Sequence, residues 1–331
     1  MKILFRVTLG ILLVVLFGTL SVSLYYGNKI KGQTEIPEIR DYNNEKGHYV
    51  LIYSEEDSIF WEEFVTGALE ACIKEEVDLE ISKVSPLDDQ ESILEKIDMA
   101  IASKVDGIIL QAEEDIAFET YINKATEKGI PVITVASDCI KSTRQSYIGT
   151  NAYETGLKAG ELIKEATDEA KIVIITQEDE HESTDISTSN YLSGIYEVIN
   201  NDENMEIIAE EKSSYADFSA EGIAYKIINN NPEANMIICT SANDTLGVAQ
   251  VMIEFNRVGS VQIIGYDMSE DMVDYIQKGI VYGAIARNPR EMGVKSIETM
   301  KKILKKQVVS EFIDTGIIIY TKDNIKNYSD K

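Results

Sequence analysis

Side chains able to recognise a polar ligand gather just after the chain's short apolar runs. Ser58, Phe60 and Trp61 follow the run at residues 49–53, and Ser137 and Asp138 follow the run at 132–135. Further along, Asn243 follows ICTSA, Asp267 follows QIIGY, and Arg287 follows GAIA. Aromatic faces stack on the apolar faces of sugar rings, while amides and carboxylates satisfy hydroxyls in pairs, so this set suits a polyhydroxylated ligand. Polar loops also follow strands in every α/β protein. Taken singly, each residue therefore fits a bland loop as well as a site.

Elements of regular spacing must place these residues. Residues 49–53 (YVLIY) have strand length, and Phe60, Phe64, Ala68 and Ala71 then recur at helical spacing. Residues 79–84 alternate as a strand, 93–101 present a helix face, and 108–110 form another strand. A helix over 116–128 ends at Gly129, and Pro131 opens the strand at 132–135. The rhythm restarts after Asn151, with strands predicted at 172–176, 207–209, 236–240, 261–266 and 282–286. Helices are predicted at 153–166, 190–200, 218–230, 245–256 and 269–278. Apolar strands alternating with helices of this length give parallel sheets with crossover helices, here two doubly wound units in series. Such sheets bind ligands at the carboxyl ends of their strands, where the residues above fall.

Catalytic and nucleic-acid functions find little support. The chain has two histidines, His48 and His181, and no HExxH, Walker, GxGxxG or GxSxG pattern. The acidic run at 178–182 lacks the spacing of a calcium loop and reads as a solvated loop. No enzyme activity, cofactor or metal is expected. The 57 acidic against 31 basic residues give a net charge of −26, which repels phosphate backbones.

Residues 7–24 carry no charge and follow Lys2 and Arg6. Their length favours a retained signal anchor over a cleaved signal peptide, although Ser21-Val22-Ser23 offers a cleavage site. A short tail before a first apolar segment puts the body outside the cell membrane by default. The expected organisation is a membrane segment at 1–31, a linker at 32–47, a lobe of 48–150 plus 288–311, and a second lobe of 151–287 plus 312–331. Cys72, Cys139 and Cys239 each sit in apolar surroundings and read as buried, inert thiols.

From His48 onward the chain resembles the ribose-binding-type sugar-binding proteins of periplasmic-binding-protein type I fold. Eight pieces in order carry the resemblance: SEEDSIFWEEFVTGALEAC, VDGIIL, KGIPVITV, IGTNAYETGLKAGELI, YADFSAEGI, CTSANDTLGVAQVM, QIIGYD and GAIARNPREMGVKSIETMKKILK. The resemblance implies two α/β lobes joined by a three-crossing hinge that close on a ligand. It puts Phe60 and Trp61 at aromatic stacking positions, Ser58 where the family often has an amide, and Phe218 at the second lobe's stacking aromatic. Asn243 falls at that lobe's amide, Asp267 at its hydroxyl-gripping carboxylate, and Asn151 at the first crossing.

The sequence departs from the family at three of its ligand positions. Ala136 stands where an Asp is usual, with Asp138 two places later; Tyr191 replaces an Arg, and Arg287 replaces a hinge Gln. The new Arg fits bidentate hydroxyl contacts, a carboxylate-bearing ligand, or a solvent-facing hinge substitution. The implied function is capture of a monosaccharide or related polyol for an ABC permease. The alternative is a membrane-anchored sensor whose closure is read by a partner such as a histidine kinase. A repressor of the same fold is rejected, because a membrane segment stands where its DNA-binding helices would be. The body is expected to be monomeric.

Overall fold

The computed structural model describes residues 47–54, 58–85, 90–177, 186–214 and 219–329. The apolar N-terminal segment, the acidic run at 178–182 and Phe218 lie outside the described residues, as does the Ser58 side chain. Among the described residues, no helix is long and apolar enough to cross a membrane.

The first lobe begins with β1 (His48–Ser54), α1 (Ser58–Glu75), β2 (Asp78–Val84) and α2 (Gln90–Ser103). It continues through β3 (Gly107–Leu110), α3 (Ile116–Glu127), β4 (Val132–Val135) and β5 (Ser146–Gly149). The second lobe repeats the pattern in α4 (Ala152–Ala166), β6 (Ala170–Gln177), α5 (Ile186–Ile199), β7 (Met205–Ser213) and α6 (Ser219–Asn230). It goes on with β8 (Met236–Cys239), α7 (Ala242–Glu254), β9 (Gln262–Tyr266), α8 (Glu270–Lys278) and β10 (Gly283–Arg287). The chain then runs through α9 (Pro289–Leu304), β11 (Phe312–Asp314) and β12 (Ile317–Thr321).

Two six-stranded sheets result, ordered β11-β5-β4-β3-β1-β2 and β12-β10-β9-β8-β6-β7. Every neighbouring pair is parallel except β10 with β12. The central strands GIIL, VITV and MIIC are buried throughout, because helices cover both faces of each sheet. In the first sheet the order reverses around β1 and in the second around β6. This sets the crevices at the carboxyl ends of those strands.

The helices pack backbone to backbone at matching places in the two lobes. In the first lobe, α1 crosses α9 through Gly67 and Gly293; in the second, α4 crosses α5 through Gly156 and Gly194. A Cβ on Gly156 would stand 2.0 Å from the Tyr191 carbonyl oxygen, so only glycine permits that approach.

Three stretches join the lobes, and the first two end on asparagines that cap helices. Asn151 Oδ1 accepts from Glu154 N at the start of α4, and Asn288 Oδ1 accepts from Glu291 N at the start of α9. The sequence puts the third crossing at 311–312, but β11 adds Phe312–Asp314 to the first lobe's sheet beside β5. That crossing therefore falls at Thr315 and Gly316, where Gly316 takes a left-handed turn (φ 68°). It is tied to the first crossing, since Thr315 N and Oγ1 both donate to the Gly149 carbonyl at 2.9 and 3.0 Å.

Candidate ligand-binding site

Phe60, Asp267 and Arg287 meet where the two lobes face each other. Phe60 lies in the first turn of α1, Asp267 directly after β9, and Arg287 at the end of β10. The Asp267 carboxylate accepts from Arg287 N at 3.0 Å and from Arg287 Nε at 2.8 Å, and Arg287 Nη2 closes the fork. Such two-pronged, charge-assisted pairs are the strong members of their class. The guanidinium carbon also stands 4.2 Å from the Phe60 ring centroid and 5.9 Å from that of Tyr266. Arg287 is thus no solvent-facing substitution: it joins a carboxylate of one lobe to an aromatic face of the other.

Asp267 takes a left-handed conformation (φ 56°), as does Ala136 (φ 64°) after β4, the corresponding strand of the first lobe. Non-glycine residues held there store strain, and such strain gathers at ligand clamps. The Ala136 carbonyl accepts from Tyr147 Oη at 3.0 Å. Burial pushes the Tyr147 hydroxyl well above its ordinary value, so it stays a donor.

Other residues singled out in the sequence divide between the cleft and the lobe cores. Trp61 is 3% exposed and packs inward, stacked on Tyr53 at 4.2 Å and tilted against Phe64 at 5.2 Å. It belongs to the first lobe's core cluster, which Phe60 also joins. Asp138 is bound to Arg144, whose Nε and Nη2 each donate to it at 2.6 Å, while Thr134 Oγ1 and Cys139 N also donate. With the Arg144 side chain 6% exposed, this is a buried ion pair that holds the loop after β4. Asn243 is exposed on the first turn of α7, and its neighbour Asp244 is buried, accepting from Ser213 Oγ and Ser241 Oγ at 2.8 Å each.

Ser137 Oγ and Tyr191 Oη are buried and meet no hydrogen-bond partner among the described residues. Ser137 follows β4, and the Tyr191 ring meets Tyr266 edge-on at 5.7 Å. Burial drives the Tyr191 hydroxyl far above its ordinary value, with Tyr266, Cys239 and Asp267 adding to the effect. A buried hydroxyl without a partner costs about 1–3 kcal/mol, which a ligand hydroxyl would offset. Sequence reasoning missed Tyr147 and Tyr266, although Tyr266 directly precedes Asp267 at a strand end.

All three cysteines are buried and unbridged. Burial raises the Cys72 thiol to about 11 and Cys239 well above its ordinary value, so neither is a ready nucleophile. Among the described residues, no group of His, Cys, Asp and Glu could hold a metal ion.

A family model for the periplasmic binding protein domain matches residues 49–307. The chain belongs to this family. As a periplasmic binding protein it has the family's two-lobed α/β fold and a solute-binding role, and it is a binding protein rather than an enzyme. It is 26% identical over 239 residues to the ABC transporter periplasmic-binding protein YphF of Escherichia coli (strain K12), covering 68% of this chain and 71% of that protein. Among solved structures it is similar to GanP, a glucose-galactose binding protein from Geobacillus stearothermophilus. That match has 32% identity and a TM-score of 0.76, and covers 85% of this chain and 99% of GanP. A chain of the XylFII–LytSN complex matches at 28% identity and a TM-score of 0.72, covering 85% of this periplasmic binding protein and 99% of that chain.

Proposed function

We propose that the protein captures a monosaccharide or related polyol between its lobes, on the extracytoplasmic face of the cell membrane, and delivers it to an ABC-type permease. The likeness to GanP, a glucose-galactose binding protein, over 85% of the chain carries this reading. The cleft chemistry supports it: a carboxylate, a guanidinium and an aromatic face suit alternating polar and apolar faces of a sugar ring. Ligand bridging the lobes shifts their closure by as much as its preference for the closed arrangement. The apolar segment at residues 7–24 is the reason for placing the body beside a membrane.

A second reading has one specific support. The likeness to a chain of the XylFII–LytSN complex favours a role in which closure is passed to a membrane-bound signalling partner such as a histidine kinase. An anchored binding protein would hold such a partner at high effective concentration.

A thermal-shift screen of the full chain against millimolar monosaccharides, inositol and sugar acids tests the binding claim. Ligand at a thousand times its Kd stabilises by about 4 kcal/mol, a shift easily seen. Silence across the panel overturns the sugar reading. Flanking permease and ATPase genes would favour import, and a flanking sensor gene the second reading.

A further inference from the structure

We propose that Arg287 is an internal counter-ligand: its guanidinium holds the carboxylate and the aromatic face that a sugar would use, and binding swings it into the cavity on the hinge side. The inference rests on the sugar-binding reading above. Its first observation is occupancy. Asp267 is 8% exposed and Phe60 6% exposed, and Arg287 covers both, through the fork on Asp267 and the 4.2 Å approach to the Phe60 ring. No ring can stack on Phe60, and no hydroxyl can reach that edge of Asp267, until the guanidinium moves.

The second observation is a destination. A cavity of about 530 Å³ spans the lobes beside this contact, with Arg287, Asp267 and Phe60 in its wall. Its other walls include Glu62 and Glu63 on α1 and Tyr320 on β12. Glu62, exposed on α1, offers a displaced guanidinium a new counter-charge, so leaving Asp267 does not strand the cation. The α9 cation that also lines the cavity, Arg290, is paired with Glu70 at 2.5 Å, outside the lining. Arg287 thus has two seats, one of which excludes ligand.

The counter-ligand sets both affinity and specificity. A ligand that bonds Asp267 and covers Phe60 competes with a tethered cation, whereas one offering a single weak contact cannot unseat it. Because Arg287 borders the second crossing at Asn288, its change of seat also reports ligand to the hinge.

Calorimetry on the full chain in detergent, with D-glucose and D-galactose as probes, tests the proposal. Arg287→Gln removes the competing charge, and the expected result is sugar binding roughly tenfold tighter than in the parent. Glu62→Gln removes the charge of the second seat. It should weaken the parent's binding several-fold and leave the Arg287→Gln background unchanged, a coupling that a merely structural role would not produce. Hydrogen exchange gives a readout free of ligand: Arg287→Gln should speed exchange in the first turn of α1 and around Asn288. If the parent binds sugar and Arg287→Gln binds equally or more weakly, or if exchange is unchanged, the counter-ligand idea is overturned while the sugar reading stands. If neither chain binds either probe or any sugar of the wider panel, it is the sugar reading that fails.

Discussion

Gly67 and Gly293 lie against each other's helix at the crossing of α1 with α9. A Cβ on Gly67 would stand 2.1 Å from the Arg290 carbonyl oxygen, and one on Gly293 would stand 2.0 Å from that of Phe64. These are backbone atoms that cannot turn aside, so the crossing fixes where α1, and with it Phe60, sits relative to the second hinge crossing. Gly293→Ala should cost about 1–3 kcal/mol or more as the helices are forced apart. Urea unfolding should show a lower midpoint, and Gly222→Ala is the control, because a Cβ there meets nothing within 4 Å.

The buried pair of Asp138 with Arg144 should prove structural. Arg144→Leu leaves the carboxylate without its counter-charge and should cost about 3–5 kcal/mol in denaturant unfolding. Sugar affinity of the folded fraction should be unchanged. Preserved stability with lost affinity would instead return Asp138 to the binding site.

Trp61→Ala should act on folding before it acts on binding. Emptying a buried indole site stacked on Tyr53 costs about 3–5 kcal/mol, whereas Trp61→Phe keeps most of the packing. Trp61 is the chain's one tryptophan, so its emission follows the first lobe's core without interference. Far-UV circular dichroism should show a lower unfolding midpoint in Trp61→Ala and one nearer the parent's in Trp61→Phe.

Asp244 gives a pH dependence of defined sign. Burial pushes its carboxyl up, although the Ser213 and Ser241 hydroxyls pull the other way. A carboxyl raised in the folded state takes a proton more readily there than in the unfolded chain. Its cost to stability is therefore absent at low pH, where both states are protonated, and builds as pH rises from the ordinary carboxylate value through the raised one. Asp244→Asn is neutral throughout, so its stability relative to the parent should climb over that interval and then level off. A difference independent of pH would overturn the assignment.

The fold was legible wherever periodicity had room to show. The apolar strand at 132–135 and the helix faces of α1 to α4 were readable because each buries a continuous run or a regular stripe. Strands β5, β11 and β12 were not. Three residues such as Phe312–Asp314 cannot display a period, and β5 follows a polar loop with no turn signal of its own. The meeting of Phe60, Asp267 and Arg287 was readable as three residues at strand ends, but their pairing was not. An arginine fork serves a carboxylate or a ligand equally well, and only three-dimensional neighbours decide. The inward turn of Trp61 did have a signal: it stands three, seven and ten residues before Phe64, Ala68 and Ala71, on the stripe that α1 buries.

The two hydrogen bonds from Thr315 to the Gly149 carbonyl fasten the first and third crossings into a single leaf. With Asn288 as the remaining attachment, the lobes hang on two pins, and two pins define one axis. Closure about that axis would have a single coordinate, with points on the outer surface displaced in proportion to one another. If the lobes close on ligand as proposed, the span between two distant surface points would be enough for a partner to gauge whether the cleft is occupied.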